Sequence, residues 1–295
     1  MRSFTVQSAQ PIRLRAWLAR ELPDAAETVV NRALRQRDIR VNGARVGEDV
    51  LLSDGDQVAV YIDDKLLQPK VETAWMDKTL IVAVKPQGVL SVGERSMADR
   101  VQRWLAARGE DPTVLPCHRL DSATGGLLML ARSAAAEEAV RDQMAAGAIS
   151  KMYHCVVRGV PQPALATLKF WLRKDEARSL VTVHDHPVPG GRTAITEYRT
   201  LATADDRALL RIALHTGRTH QIRATLAHAG HPLLGDDKYG DRAFNRARHA
   251  RSLSLWASGL TFGFAAQDCP PLAALAGRTM RSQPPFLEEW GAGDD

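Results

Sequence analysis

The chain has 295 residues, of which 45% are hydrophobic and 25% charged, the balance of a globular protein with a sizeable core. A formal net charge of +5 and a sequence pI near 9.3 favour a polyanionic partner. Three isolated cysteines suit a reducing compartment, and no apolar run approaches the ~20 residues of a membrane span. We therefore expect a cytoplasmic protein with no membrane segment and no disulfide framework.

The N-terminal segment, residues 1–62, carries the pattern of a small α+β module. Apolar residues recur at helical spacing over residues 14–22 and again over 29–34. An Asn-Gly pair at 42–43 then separates two short strands, and a last strand is predicted over 57–62.

This order of two helices, a hairpin and a strand, with the motifs RVNG and LxxGD, resembles the S4 RNA-binding domain. The arginines of the segment outnumber its acidic residues, and the resemblance implies that they contact RNA phosphates. A solvated basic helix face is the alternative interpretation. The predicted RNA-binding residues are Arg13, Arg15, Arg32, Arg35 and Arg40.

Residues 63–74 are polar and are predicted to be a linker, which leaves residues 75–295 as a second domain. Its apolar segments alternate too irregularly with helices for a doubly wound parallel sheet, so we predict an α+β fold with a mixed, largely antiparallel sheet. The predicted strands are 80–84, 126–131, 153–159, 194–201, 208–214 and 253–260. The predicted helices are 97–107, 134–146 and 219–229.

Four motifs in this second domain bear on chemistry. The most informative is His118-Arg119-Leu120-Asp121, a carboxylate at the end of a polar loop, followed by two glycines and an apolar strand. The others are Lys85-Pro86-x-Gly88, Lys151-x-Tyr153 with Val157-x-Gly159, and Thr216-Gly217-Arg218-Thr219-His220-Gln221-Ile222-Arg223. In this order they resemble the RluA-type family of RNA pseudouridine synthases, over roughly residues 75–239.

The resemblance implies an isomerase that detaches uracil from ribose and reattaches it through C5, without redox cofactor or metal. It implies that Asp121 is the catalytic carboxylate, either attacking C1′ or taking a proton from C2′. Tyr153 is implied to pack against the uracil and to be a candidate base at C5. Arg223 is the expected partner of Asp121, because a guanidinium can hold a carboxylate in bidentate geometry.

Further substrate contacts are implied for Arg119, which could fill the gap left by a flipped base, and for Ile222, His118 and Arg218. His220 is expected to bond to the backbone of its own loop. The sequence departs from the family pattern at Gly125, where serine is usual, and at Ser91-Val92-Gly93. We expect neither departure to touch a catalytic position.

Two other classes of function compete with this interpretation. Four histidines between residues 215 and 231, with two more at 184 and 186, could be drawn as a zinc site, but their spacing fits no known ligand pattern. A non-catalytic RNA-binding protein is the other alternative, and the joint presence of Asp121, Tyr153 and Arg223 argues against it. The implied substrate is large-subunit (23S) ribosomal RNA, with transfer RNA as the alternative, and we expect a monomer.

Overall fold

The computed structural model describes residues 1–22, 24–25, 27–176 and 178–290, apart from the side chain of Lys65. The chain divides into two compact units. The first comprises Met1–Val71 with Asp99–Pro112, and the second comprises Glu72–Ala98 with Thr113–Asp295. Within the described ranges, no helix is both long enough and apolar enough to cross a membrane.

The first unit packs two helices against small antiparallel sheets. Its helices are α1 (Leu14–Glu21) and α2 (Glu27–Gln36), and residues from 99 onward of α3 (Met97–Ala107) also group with it. Its strands are β1 (Arg2–Thr5), β2 (Ile12–Arg13), β3 (Ile39–Val41), β4 (Ala44–Val46), β5 (Leu51–Leu52) and β6 (Gln57–Val60), with a 3-10 turn at Asp64–Leu66.

The core of this unit is formed by the apolar positions that recur at helical spacing. Leu14, Trp17 and Leu18 of α1 are buried, as are Ala33 and Leu34 of α2. The four-stranded sheet has the order β1-β6-β3-β4, and β2 pairs with β5. The turn between β3 and β4 places Asn42 and Gly43 at φ of 51° and 82°, as a tight Asn-Gly hairpin requires. The two predicted helices and the hairpin are confirmed.

The second unit is built on one large sheet. Its strands are β7 (Thr73–Met76), β8 (Leu80–Lys85), β9 (Leu115–Pro116), β10 (Gly125–Ala131), β11 (Ile149–Arg158), β12 (Leu165–Asp175), β13 (Leu180–His184), β14 (Arg192–Ala204), β15 (Arg207–Leu214), β16 (Leu255–Phe262) and β17 (Thr279–Arg281). Its helices are α4 (Ala134–Ala145), α5 (Gln221–His228) and α6 (Arg242–Ala247), with 3-10 turns at Ala266–Asp268, Pro270–Leu275 and Glu288–Trp290.

The strand order is β13-β12-β14-β15-β11-β16-β10-β8-β7, with β9 paired to β10 and β17 to β16. Every pairing is antiparallel except that of β10 with β16. This confirms the predicted α+β class with a mixed, largely antiparallel sheet. Strand β10 is buried along its whole length, which explains why its sequence is continuously apolar rather than alternating.

Three parts of the fold differ from the predicted elements. Helix α5 begins at Gln221 rather than 219, because His220 has a left-handed backbone (φ 52°, ψ 20°) that cannot start a helix. Strand β11 begins at Ile149, four residues earlier than predicted. Strands β12 and β13 were not predicted, although the more buried positions of β12, among them Leu168, Phe170 and Leu172, are apolar at period 2.

Candidate active site

Asp121 lies in the loop that connects β9 to β10, four residues before this buried strand begins. Its side chain is 26% exposed, so the carboxylate is reachable from solvent while its backbone is fixed. The Thr124 amide donates to the Asp121 carbonyl at 3.0 Å, closing a turn. An acid on a short turn at the end of a rigid strand is held in one position for chemistry on a bound substrate.

The residues on both sides of Asp121, Leu120 and Ser122, form hydrogen bonds with the end of β8 and the segment that follows it. The Ser91 hydroxyl donates to the Leu120 carbonyl at 2.8 Å and accepts from the Leu120 amide at 2.9 Å. On the other side, the Ser122 carbonyl accepts from the Gly88 amide at 2.7 Å and from Lys85 Nζ at 3.2 Å. Ser91 therefore contacts the residue before Asp121 and not the catalytic position itself, and its hydroxyl fixes the backbone at Leu120.

Lys85, the last residue of β8, is fully buried and hydrogen-bonds to the segment that follows the strand. Its ammonium also donates to the carbonyls of Val89 at 2.7 Å and Pro86 at 3.1 Å. Burial lowers the pKa of Lys85 to about 8, against the opposing effect of the Asp121 charge. The lysine thus links the motif after β8 to the loop that carries Asp121.

Arg223, on the first turn of α5, lies beneath Asp121 with only 4% of its side chain exposed. Its Nη1 is 3.4 Å from Asp121 Oδ2, while Nε and Nη2 donate to the two carboxylate oxygens of Asp236, both at 2.8 Å. Nη2 also donates to Asp237 at 2.9 Å. The expected bidentate pairing of Arg223 with Asp121 was therefore wrong, because the fork is directed at Asp236 and Asp121 receives one long contact.

Asp236 is the anchor of this arginine. Its side chain is fully buried and also accepts from the amides of Lys238 at 2.8 Å and Tyr239 at 3.0 Å. Burial alone would raise the pKa of Asp236, but the hydrogen bonds from Arg223 and these amides outweigh it, so the pKa lies below its usual range. Burial alone would lower the pKa of Arg223. The hydrogen bonds and charge of Asp236, together with the charges of Asp121 and Asp237, outweigh burial and raise this pKa.

Tyr153 lies on β11 with only 6% of its surface exposed. Burial raises the pKa of its hydroxyl, and the nearby charge of Asp121 raises it further. The phenol is therefore neutral at physiological pH, and the ring sits close enough to Asp121 to sense its charge. Ile222, next to Arg223 on α5, is also buried. The three predicted catalytic residues thus belong to one neighbourhood, although 102 positions separate Asp121 from Arg223.

The loop before α5 is tied to β14 by Gln221, which is buried. Its side-chain carbonyl accepts from the Thr216 hydroxyl at 2.8 Å and the Arg218 amide at 3.0 Å. Its side-chain amide donates to the Ile195 carbonyl and the Thr196 hydroxyl, each at 3.0 Å. The polar sequence that ends at Arg223 therefore forms a rigid platform under the site.

His220 contacts a side chain instead of the backbone of its own loop, so that expectation was wrong. Its Nδ1 is 2.8 Å from the Tyr239 hydroxyl, and its Nε2 is 3.9 Å from Asp121 Oδ2. Burial lowers the pKa of His220, with the charge of Asp121 opposing and that of Arg223 reinforcing this effect. Sequence reasoning missed Asp236 and Tyr239, although both stand in a glycine-punctuated loop after α5.

The other predicted substrate-binding residues have different surroundings. Arg119 is exposed, with its guanidinium open to solvent. Arg218 is also exposed and donates through Nε to the Thr193 carbonyl at 3.1 Å. His118 accepts the Met129 amide through Nε2 at 3.2 Å, and burial together with the charge of Lys151 lowers its pKa to about 3. His118 is therefore a neutral ring fixed to β10.

Gly125, which stands where the family usually has serine, faces the ring of Trp256. A β-carbon at 125 would lie 2.1 Å from Trp256 Cζ3, far inside van der Waals contact. The next residue, Gly126, has φ of 110°, and a β-carbon there would lie 2.2 Å from the Ala257 carbonyl oxygen. Trp256 thus occupies the volume of the missing side chain and supports the turn behind Asp121.

The histidines were considered as metal ligands. In the described ranges, no group of three or more histidine, cysteine, aspartate or glutamate side chains is arranged to hold a metal ion. His215 faces Glu197 at 3.4 Å, and His228 faces Asp185 at 3.0 Å. The two pairs have no residue in common, so they do not form one ligand set.

In the first unit, four of the five predicted RNA-binding arginines are exposed and one is half-buried. Arg32 and Arg35 project from α2, and Arg40 lies 5.0 Å from the centre of the Tyr61 ring. Arg13 donates to the Asp49 carbonyl at 2.8 Å, and Arg15 donates to Asn31. The guanidinium groups of α2 are therefore accessible to a polyanion.

Comparison with known proteins identifies the family of this chain. Residues 79–228 match the family model described as RNA pseudouridylate synthase. The ribosomal large subunit pseudouridine synthase C of Vibrio vulnificus is 29% identical over 279 residues, covering 88% of this chain and 87% of that protein. The protein of the same name in Escherichia coli is 29% identical over 253 residues, with 79% and 78% covered.

A solved structure shares the fold. Human RNA Pseudouridylate Synthase Domain Containing 4 superposes with a TM-score of 0.58 at 21% identity, over 73% of this chain and 89% of that one. Because the family model spans more than half of the 295 residues and includes Asp121, Tyr153 and Arg223, the chain belongs to the RNA pseudouridylate synthase family.

Proposed function

We propose that this protein converts specific uridines of large-subunit (23S) ribosomal RNA to pseudouridine, with Asp121 as the catalytic carboxylate. The observation that carries the proposal is the position of Asp121, half-open to solvent above a buried Arg223 and beside the ring of Tyr153. The names of its bacterial relatives supply the ribosomal substrate. Transfer RNA is the second candidate substrate.

The proposed reaction breaks the bond between uracil N1 and ribose C1′ and forms one between C5 and C1′. The proton leaves C5 and a proton is gained at N1, so nothing is oxidised and no cofactor is needed. Asp121 acts at the sugar, by attack on C1′ or by removal of the C2′ proton. Arg223 contacts Asp121 through Nη1 alone and leaves Oδ1 uncovered, because its fork is occupied by Asp236.

Tyr153 and Ile222 are proposed to hold the detached uracil between them. Apolar contact on both faces would keep the free base in place while it turns, and the neutral phenol of Tyr153 is a candidate for the proton transfer at C5. Arg119 is exposed and is proposed to fill the space left by the flipped base.

We further propose that the first unit is an S4-type RNA-binding module. Support comes from the exposed arginines on α2 and from the two-helix and hairpin arrangement. Exposed arginines contribute affinity through phosphate contacts rather than sequence specificity, so this module would dock the RNA while the second unit performs the chemistry.

The substrate can be identified by sequencing RNA from a strain that lacks this gene after carbodiimide treatment, which marks pseudouridines. We expect marks to disappear at defined positions of 23S RNA and to return with the wild-type gene but not with Asp121→Asn. Loss of marks from transfer RNA alone would replace the ribosomal substrate by the second candidate. An unchanged pattern in both RNA classes would contradict the proposed function.

A further inference from the structure

The contacts of Tyr239 determine where its hydroxyl proton lies. The Val181 amide donates to the Tyr239 oxygen at 2.8 Å, so that oxygen already acts as an acceptor. His220 Nδ1 lies 2.8 Å from the same oxygen. Among the described residues, it is the one acceptor within reach of the hydroxyl hydrogen. A phenol that accepts from the backbone and donates its proton to Nδ1 satisfies both contacts.

This assignment fixes the tautomer of His220. A neutral imidazole carries one N–H, and Nδ1 is used as the acceptor from Tyr239, so the proton resides on Nε2. Nε2 faces Asp121 Oδ2 at 3.9 Å. The reverse tautomer would turn a nitrogen lone pair toward a carboxylate oxygen and leave the phenol proton without an acceptor, and both consequences are unfavourable.

Two donors near Asp121, one on a cationic guanidinium and one on an imidazole, approach the same carboxylate oxygen. Arg223 Nη1 is 3.4 Å from Oδ2, and His220 Nε2 approaches the same Oδ2. Within the described ranges, no donor contacts Oδ1 of Asp121. The carboxylate is thus held from one side, and its other oxygen is free of competing hydrogen bonds.

We propose that Tyr239 is a positioning residue that locks His220 as the Nε2–H tautomer, and that His220 and Arg223 together hold Asp121 Oδ2 so that Oδ1 is the oxygen that acts on the ribose. The inference rests on the proposed isomerase function and assigns roles within its site. The pair His220–Tyr239 gives Asp121 a neutral donor in addition to the charged one.

The backbone of His220 is consistent with this role. Its φ of 52° is a left-handed conformation that non-glycine residues adopt at a cost of order 1–3 kcal/mol, typically where function requires it. The conformation directs the imidazole toward Tyr239 and Asp121 from the start of α5. Arg223 lies 5.4 Å from the centre of the Tyr239 ring, so the phenol is also packed against the second donor.

Substitutions of His220 separate the two ring nitrogens. Glutamine places an amide N–H near the position of Nε2, whereas asparagine reaches only the position of Nδ1 and also tolerates left-handed backbone well. We expect His220→Asn to fold normally and to lower the single-turnover rate by about tenfold, because it removes the N–H that faces Asp121 at 3.9 Å. His220→Gln should recover most of that rate. Equal rates for the two variants would overturn the proposal.

A double-mutant cycle tests the role of Tyr239. We expect Tyr239→Phe to lower the single-turnover rate about three- to tenfold with unchanged RNA affinity, and to have no further effect in a His220→Ala background. A full additional loss in that background would show that Tyr239 acts through other contacts. Tyr198→Phe is the matched control, because it also removes a tyrosine hydroxyl, one that donates to the Pro163 carbonyl at 3.0 Å, and should leave the rate unchanged.

The tautomer can be read without turnover, so failure of this inference and failure of the proposed function are distinguishable. Nitrogen-15 NMR of histidine-labelled protein separates the two neutral tautomers, and the His220→Asn spectrum identifies the signal of His220 among nine histidines. We expect the Nε2–H form in the wild type and a mixture in Tyr239→Phe. A wild-type Nδ1–H form would overturn the proposal, whatever the activity.

Discussion

Arg223 in the second unit and the arginines of α2 in the first carry the same guanidinium group in opposite surroundings. Arg223 is 4% exposed and contacts three carboxylates. Arg32 and Arg35 are exposed, and no described residue forms an ion pair with either. For Arg223 the geometry of the guanidinium matters most, whereas for Arg32 and Arg35 its charge matters most.

From this comparison we expect affinity and chemistry to be divided between the two units. A buried guanidinium loses its function if its shape changes, because its donors are matched to fixed oxygens. An exposed guanidinium acts through the ionic atmosphere of RNA, so its contribution should depend on salt and little on shape. Substitutions in the two units should therefore change different measured constants.

The largest effect is expected for Asp121→Asn, which keeps the shape of the side chain and removes its charge. Pseudouridine formation should fall below detection, because an amide neither attacks C1′ nor removes the C2′ proton. RNA affinity should stay within about threefold, since Asp121 makes no phosphate contact. The measurements are single-turnover tritium release and filter binding, and appreciable turnover would contradict the assignment.

An intermediate effect is expected for Asp236→Asn, which removes the buried anchor of Arg223. Breaking a buried charged pair typically costs about 3–5 kcal/mol of unfolding free energy, and the displaced fork should lower the rate about 10- to 100-fold with little change in affinity. Asp237→Asn is the matched control. Because Asp237 is 79% exposed, we expect its loss to leave the rate within about twofold.

The stability deficit of Asp236→Asn should depend on pH in a defined direction. The pKa of Asp236 in the folded protein lies below its ordinary value of 3.8, so its ionised form contributes stability above that pH. This contribution is lost as pH falls through the folded pKa. The difference in urea-unfolding free energy between wild type and variant should therefore be full at pH 7 and shrink below about pH 4. A constant difference would contradict the anchoring role.

The smallest effect on chemistry is expected for Arg32→Gln with Arg35→Gln. If both contact phosphates, the slope of log affinity against log salt should decrease by about 0.7–0.9 for each, while the rate at saturating RNA stays unchanged. Arg141→Gln on α4 is the control, since Arg141 is exposed but paired with Glu137 at 2.9 Å. An unchanged slope in the double variant would remove these residues from the RNA-binding surface.

The parts of this molecule that local patterns determine could be predicted from the sequence. The bounds of α3 follow from apolar spacing over residues 97–107, and β10 follows from its continuous apolar run. The motif around Asp121 places the acid before a buried strand, as the structure has it. Such features depend on residues that are close in sequence, so the sequence pattern is sufficient to predict them.

The parts that depend on partners distant in the chain could not be predicted. Asp236 and Asp237 are identical and adjacent, yet one is fully buried and the other 79% exposed, and only the position of Arg223 distinguishes them. The hydrogen bond from Tyr239 to His220 and the contact of Ser91 with Leu120 likewise require the assembled fold.

The contact between Gly125 and Trp256 restricts how this sequence can change over time. A serine at 125 would collide with the indole, and a smaller residue at 256 would leave a void beside the turn that holds Asp121. Each single change is therefore expected to be harmful, while the pair can change together. We therefore expect the effect of a substitution at 125 to depend on the residue at 256, so that the two positions behave epistatically.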